Sequence, residues 1–134
     1  MILPYQKGDG SLIDAVEGGQ WDESIAEHSV ALSFWEGATI KACGGMKFIS
    51  EDDITLWMRI DKDRPKKMFK FFKEMRFAME VAIEELGYPD LTTVVRCGFR
   101  KGERLVKIFG FIDTGTILKQ NDIKYKEYRW LKWL

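Results

Sequence analysis

The segment that most constrains this chain is PKKMFKFFKEMRFAMEVAIEELG, residues 65–87. Its apolar residues Met68, Phe71, Phe72, Met75, Met79, Ala82, Ile83 and Leu86 recur at i, i+3 and i+4, the spacing of one helix face. Pro65 suits the first helical position, and Gly87 with Pro89 marks the stop. Strand patterns flank the helix. Before it, DDITLWMRI sets Ile54, Leu56, Met58 and Ile60 against Thr55, Trp57 and Arg59; after it, LTTVVRC is β-branched. Strand, long helix and strand in that order predict a βαβ unit with parallel strands.

The remaining segments extend that unit into a mixed sheet. MILPYQ reads as a short first strand, SLIDAVEGG as a short helix closed by Gly18 and Gly19, and QWDESIAEH as a polar loop. SVALSFWEG alternates as a strand, Glu36–Gly37 turns, and ATIKACGGM returns antiparallel. In GERLVKIFGF, Leu105, Ile108 and Phe109 lie on one face of a short helix, and Gly110 stops it before the strand FIDTG. IKYKEYRW is a closing strand. The expected fold class is α/β (α+β): a mixed, mostly antiparallel sheet with a central βαβ unit and helices on both faces. Residues 1–134 form one domain in this reading, with 129–134 as an aromatic and basic tail.

Composition narrows the function classes. The chain has 21 basic and 21 acidic residues, so no global charge recommends nucleic acid as a partner. No apolar run approaches the ~20 residues that span a bilayer, and the N-terminus lacks a signal-peptide pattern. Cys43 and Cys97 form no CxxC pair, and His28, the one histidine, has no partner at ligand or triad spacing. No metal site is expected.

The element order, with LVKIFGF after the strand LTTVVRC, resembles the Gcn5-related N-acetyltransferase (GNAT) fold. In that family a short helix ends in a pattern like L-Y-x-K-L-G-F. SFWEGATIKACGGM and ITLWMRI are similar to its central hairpin and fourth strand. The closest likeness is to the small GNAT-like internal virion proteins of T7-type podophages. The resemblance implies that acetyl-CoA is the cofactor and that it lies against Met58, Arg59, Ile60, Arg64, Lys66 and Lys67. It also exposes departures. The family's phosphate loop, [Q/R]-x-x-G-x-[G/A], is missing, because no glycine occurs between Gly45 and Gly87. The tyrosine that serves the family as proton donor is replaced by Val106.

The residues add their own signals. Lys62, Arg64, Lys66, Lys67, Lys70 and Lys73 crowd the start of the long helix while its acids lie later, against the helix dipole. A bound anion would relieve that arrangement; a solvated face with lysine stems over apolar surface is the other reading. Asp61 and Asp63 are candidates for a general base near the splay of the fourth and fifth strands, beside the alternative of helix-entry residues. Cys97, at a strand end, is the one candidate for a catalytic thiol, beside the alternative of an inert buried cysteine. Tyr128, Trp130 and Trp133 interleave with bases at the C-terminus and suit docking on a viral or host protein, or folding back on the sheet.

Two functions follow. The first is a phage-type protein with degenerate acyl-CoA motifs, non-catalytic and serving virion assembly or partner binding, in the host cytoplasm or packaged in the virion. The alternative is an active acyl-CoA-dependent N-acetyltransferase that moves an acetyl group to an amine.

Overall fold

The computed structural model describes residues 1–15, 20–50, 53–63, 67–87 and 90–130. Among them, β1 (Ile2–Pro4), β2 (Ser29–Glu36), β3 (Thr39–Ser50), β4 (Asp53–Ile60), β5 (Asp90–Arg96), β6 (Phe111–Gln120) and β7 (Ile123–Trp130) make one sheet in the order β1-β2-β3-β4-β5-β7-β6. Every neighbouring pair is antiparallel except β4 and β5. The α-helix α1 (Met68–Glu85) connects those two parallel strands, and α2 (Arg100–Ile108) connects β5 to β6. The expected mixed sheet with a central βαβ unit is therefore present.

Both α-helices lie on one face. Phe71, Met75, Met79 and Ile83 of α1 pack with Phe34, Ile54, Leu56 and Leu91 of the sheet, and Val106 and Phe109 of α2 join the same cluster. Phe72 and Phe109 bring the two helices together, edge to face at 5.8 Å. Gly44 lets α1 come this close: a Cβ there would lie 2.8 Å from the Trp57 carbonyl and 3.1 Å from the Met75 methyl. Two short 3₁₀ helices, Asp9–Leu12 and Glu23–Ala26, cover the opposite face over a second cluster of Ile13, Ala15, Ile40, Cys43 and Trp57.

The structure departs from the sequence reading in particular places. Of the short helix expected over SLIDAVEGG, the described residues 11–15 hold only the end of the 3₁₀ turn Asp9–Leu12, after which Ile13 is extended and Ala15 bridges to Asp61. Arg59 takes the Gly10 and Ile13 carbonyls, which a continuing helix would need for itself. QWDESIAEH contains the second 3₁₀ helix, which Asp22 caps by accepting from the Ser24 N–H. In α2 the inward residues are Val106 and Phe109, with Leu105 half-buried and Ile108 60% exposed. Gly102 sets that rotation, because a Cβ there would lie 2.6 Å from the Phe99 ring and 2.9 Å from Val95. Leu86 is 47% exposed and so leaves the expected core face of α1. The strand begun by FIDTG runs on to Gln120 and turns through Asn121 and Asp122, both at positive φ. Such a two-residue turn matches the twist of a hairpin. Gly18, Gly19, Pro65, Pro89 and the Met68 side chain lie outside the described residues.

Candidate functional site

β4 and β5 pair only at Asp53–Thr55 with Asp90–Thr92, and beyond that point they separate. At the fork the Thr93 hydroxyl donates to the Leu56 carbonyl at 2.9 Å, so a side chain satisfies the first β4 acceptor beyond the paired stretch. The Asp61 N–H donates to the Lys41 carbonyl at 2.9 Å, which fixes the hydrogen-bonded pairs between β3 and β4. By the antiparallel alternation, Cys43–Arg59 and Gly45–Trp57 are bonded in the same way. Met58 and Ile60 therefore turn their backbone N–H and C=O groups away from β3, toward the opening. That edge can pair with an extended, amide-bearing ligand.

In chain order α1 follows β4 and α2 follows β5, each after the C-terminal end of one of the two parting strands. α1 begins after Lys67 with no side-chain cap and no acid in its first turn. Its free N–H groups and positive dipole end favour an anion, and the exposed Lys67 and Lys70 add charge. α2 also lacks a side-chain cap, with Phe99 at that position. The Arg76 guanidinium donates to the Ile108 carbonyl at 3.4 Å, tying α1 to the end of α2.

The residues singled out from the sequence fall into different places. Met58 and Ile60 line the opening through their backbones. The Arg59 side chain points to the other face, where it is 8% exposed, donates to Gly10 and Ile13 at 2.9 and 3.0 Å, and lies over the Trp21 ring. Its guanidinium is committed to the fold and not to a phosphate. Lys67, just before α1, is exposed and lines a cavity with Met1, Phe34, Trp35, Glu36 and Gly37 at the β2–β3 turn, while Arg64, Lys66 and Trp133 lie outside the described residues. Cys97 is half-buried just past β5, held by its N–H to the Lys124 carbonyl at 2.9 Å. Burial pushes the Cys43 thiol up to about 12, which leaves it un-ionised at neutral pH. Asp61 accepts from the Asp63 N–H at 2.8 Å, as a helix-entry residue would. His28 is exposed at positive φ.

Tyr128 and Trp130 are not a docking surface. They are 1% and 5% exposed on the helical face, where β7 sits between β5 and β6 and buries both. Burial, and then the Glu103 carboxylate, raise the Tyr128 hydroxyl above its ordinary value. Val106 is 8% exposed within the core and carries no proton to donate.

The sequence reading missed the strap formed by residues 5–15 and 20–26. The Glu23 carboxylate accepts from the Tyr5 hydroxyl at 2.7 Å, the Gly8 N–H at 2.7 Å and the Trp21 indole at 3.3 Å. The buried Asp9 accepts from Ser33 and from the Gln6 N–H. Tyr5 and Trp21 pack on Trp57 at 5.7 and 5.4 Å. The signal available was composition: aromatic and acidic residues in a segment too short for a periodic pattern.

No family model matches the sequence, and neither does any curated protein. Solved structures do match. The ribosomal-protein-S5-alanine acetyltransferase of Vibrio fischeri superposes with a TM-score of 0.71 at 6% identity, over 99% of this chain and 94% of that one. The ribosomal-protein-S18-alanine N-acetyltransferase of Escherichia coli gives 0.62 at 16% identity, over 97% and 92%. A GNAT family acetyltransferase of Elizabethkingia anophelis, solved with acetyl-CoA bound, gives 0.65 at 10% identity, over 97% and 96%. The parted parallel strands, the two helices at their ends and these superpositions together show that the chain has the GNAT fold.

Proposed function

We propose that this chain binds an acyl-CoA between β4 and β5 and that the reaction served there is transfer of the acyl group to an amine. The observation that carries the reading is the opening itself, with the unpaired backbone edge of Met58 and Ile60 leading to the acid-free, uncapped start of α1. The donor set fits the ligand. Amides of an extended arm would pair with the Met58 and Ile60 edge, and a pyrophosphate would sit on the first N–H groups of α1 beside Lys67, with Arg64 and Lys66 next in sequence. When bound, acyl-CoA supplies a thioester carbonyl open to attack by a deprotonated amine. Thr93 keeps the fork closed behind it by holding Leu56.

A second reading, binding without turnover, is favoured by Val106, which has no hydroxyl to protonate a departing thiolate. The virion-assembly role draws no support from the solved neighbours, and docking through Tyr128 and Trp130 draws none from their burial.

Thermal melting with millimolar acetyl-CoA tests the binding, since a ligand at 100 times its Kd stabilises by about 2.7 kcal/mol. A rise in Tm supports the reading and no rise overturns it. Release of free CoA thiol over a panel of amines separates the two readings: thiol release establishes transfer, and a Tm rise without it establishes binding alone.

A further inference from the structure

The chain's zero net charge is the sum of two opposite regions. Residues 1–61 hold 11 acids and 4 bases, while residues 96–134 hold 10 bases and 4 acids. The basic excess is concentrated on α2, where Arg100, Lys101, Arg104 and Lys107 are all exposed. At 100° per residue these four fall on one outward stripe, opposite Val106 and Phe109, about 10 Å long. None of them makes an ion pair among the described residues. Two local acids have partners outside α2: Glu103 pairs with Lys126 at 3.4 Å, and Asp122 at the hairpin turn offsets part of the Lys119 charge at 3.6 Å. On the same side of the sheet, Lys119 and Lys124 stand directly opposite each other on β6 and β7. Like charges at helix spacing, in a first helical turn and across a strand pair all repel. A polyanion relieves all three at once.

We propose that the outward face of α2, with Lys119 and Lys124 beside it, is a docking surface for the phosphodiester backbone of a nucleic acid. The four bases along the outward stripe of α2, with Lys119 and Lys124 beyond them, fit a repeating line of phosphates. Arg100 and Arg104 offer forked donors that match phosphate oxygens. A membrane surface fits less well, because Ile108 is the one large apolar residue on the stripe. This surface is separate from the backbone edge of Met58 and Ile60.

Fluorescence anisotropy of the full chain with a labelled single-stranded RNA tests the surface. Affinity should fall between about 50 and about 200 mM salt, with a log–log slope of about −0.7 for each phosphate engaged. Arg104→Glu with Lys107→Glu should weaken binding about tenfold or more and flatten the slope. Arg104→Gln with Lys107→Gln should do the same to a smaller extent. Both double variants should keep the native Tm and any acetyl-CoA shift, while Lys7→Glu, on the acidic region, should leave RNA affinity unchanged. No binding at low salt, a salt-independent affinity, or equal weakening by Lys7→Glu would overturn the proposal. Displacement of the RNA by polyglutamate at matched charge would overturn it in favour of an acidic protein partner.

Discussion

On the helical side of the sheet, Phe71, Met75, Met79 and Ile83 are each at most 5% exposed and pack in one large apolar cluster. On the other side the cover is the strap of residues 5–15 and 20–26, held by Tyr5, Asp9, Glu23 and Arg59 through hydrogen bonds as much as by packing. Area burial, which is non-directional, secures the first face. The second depends on geometry, since each buried donor and acceptor must keep its partner. The helical face tolerates changes of shape that conserve volume, whereas the strap fails when one partner is removed.

Three perturbations sharpen this contrast, and the largest effect is expected on the helical side. Phe71→Ala removes a fully buried ring that packs on Phe34 at 5.5 Å and Phe72 at 5.9 Å. Its cost should be about 3 to 5 kcal/mol in urea unfolding, while Phe71→Leu should cost far less. Arg59→Met keeps most of the volume but leaves the Gly10 and Ile13 carbonyls without their guanidinium. A loss of about 2 to 3 kcal/mol is expected, with new protease cleavage confined to residues 5–26. Uniform cleavage along the chain would contradict a separately held strap.

The smallest effect is on pH dependence. Burial acts to raise the Glu23 carboxyl, but hydrogen bonds from Tyr5, Gly8 and Trp21 outweigh it and hold the group below its ordinary value. Stability from this group is therefore present above the usual carboxylate range and lost as pH falls through the depressed value. Burial, then the Glu23 hydrogen bond, raise the Tyr5 hydroxyl, so its contribution is present below about pH 10 and lost above it. Tm plotted against pH should fall at both ends, and Glu23→Gln should remove the acid limb. An acid limb unchanged in that variant would place the titration elsewhere.

The same contrast explains what could be read from the sequence. The α1 pattern was legible because eighteen helical residues, Met68–Glu85, repeat one periodicity several times. The alternation in β2 and β4 was legible for the same reason. α2 was legible as a helix but not in its rotation, since Leu105, Val106, Ile108 and Phe109 allow two inward faces. The close contact of Gly102 with Phe99 and Val95 selects between them, and it depends on how β5 turns into α2, which periodicity does not report. The strap was illegible because the partners of Glu23 and Arg59 lie as far away as Tyr5 and Gly10. At the site, Met58 and Ile60 were reachable from family resemblance, and they act through backbone groups that a side-chain reading does not weigh. The bonds of the Arg59 side chain to Gly10 and Ile13 were not legible, because those partners lie 49 and 46 residues away.

The central claim is that the open edge of β4 receives an acyl-CoA. Backbone amide spectra recorded during an acetyl-CoA titration test it most directly. The amide signals of Met58 and Ile60 should shift and saturate together with those of the first turn of α1, while Arg59, whose N–H faces β3, moves less. Shifts confined to scattered exposed lysines, with Met58 and Ile60 unmoved at saturating ligand, would contradict the claim.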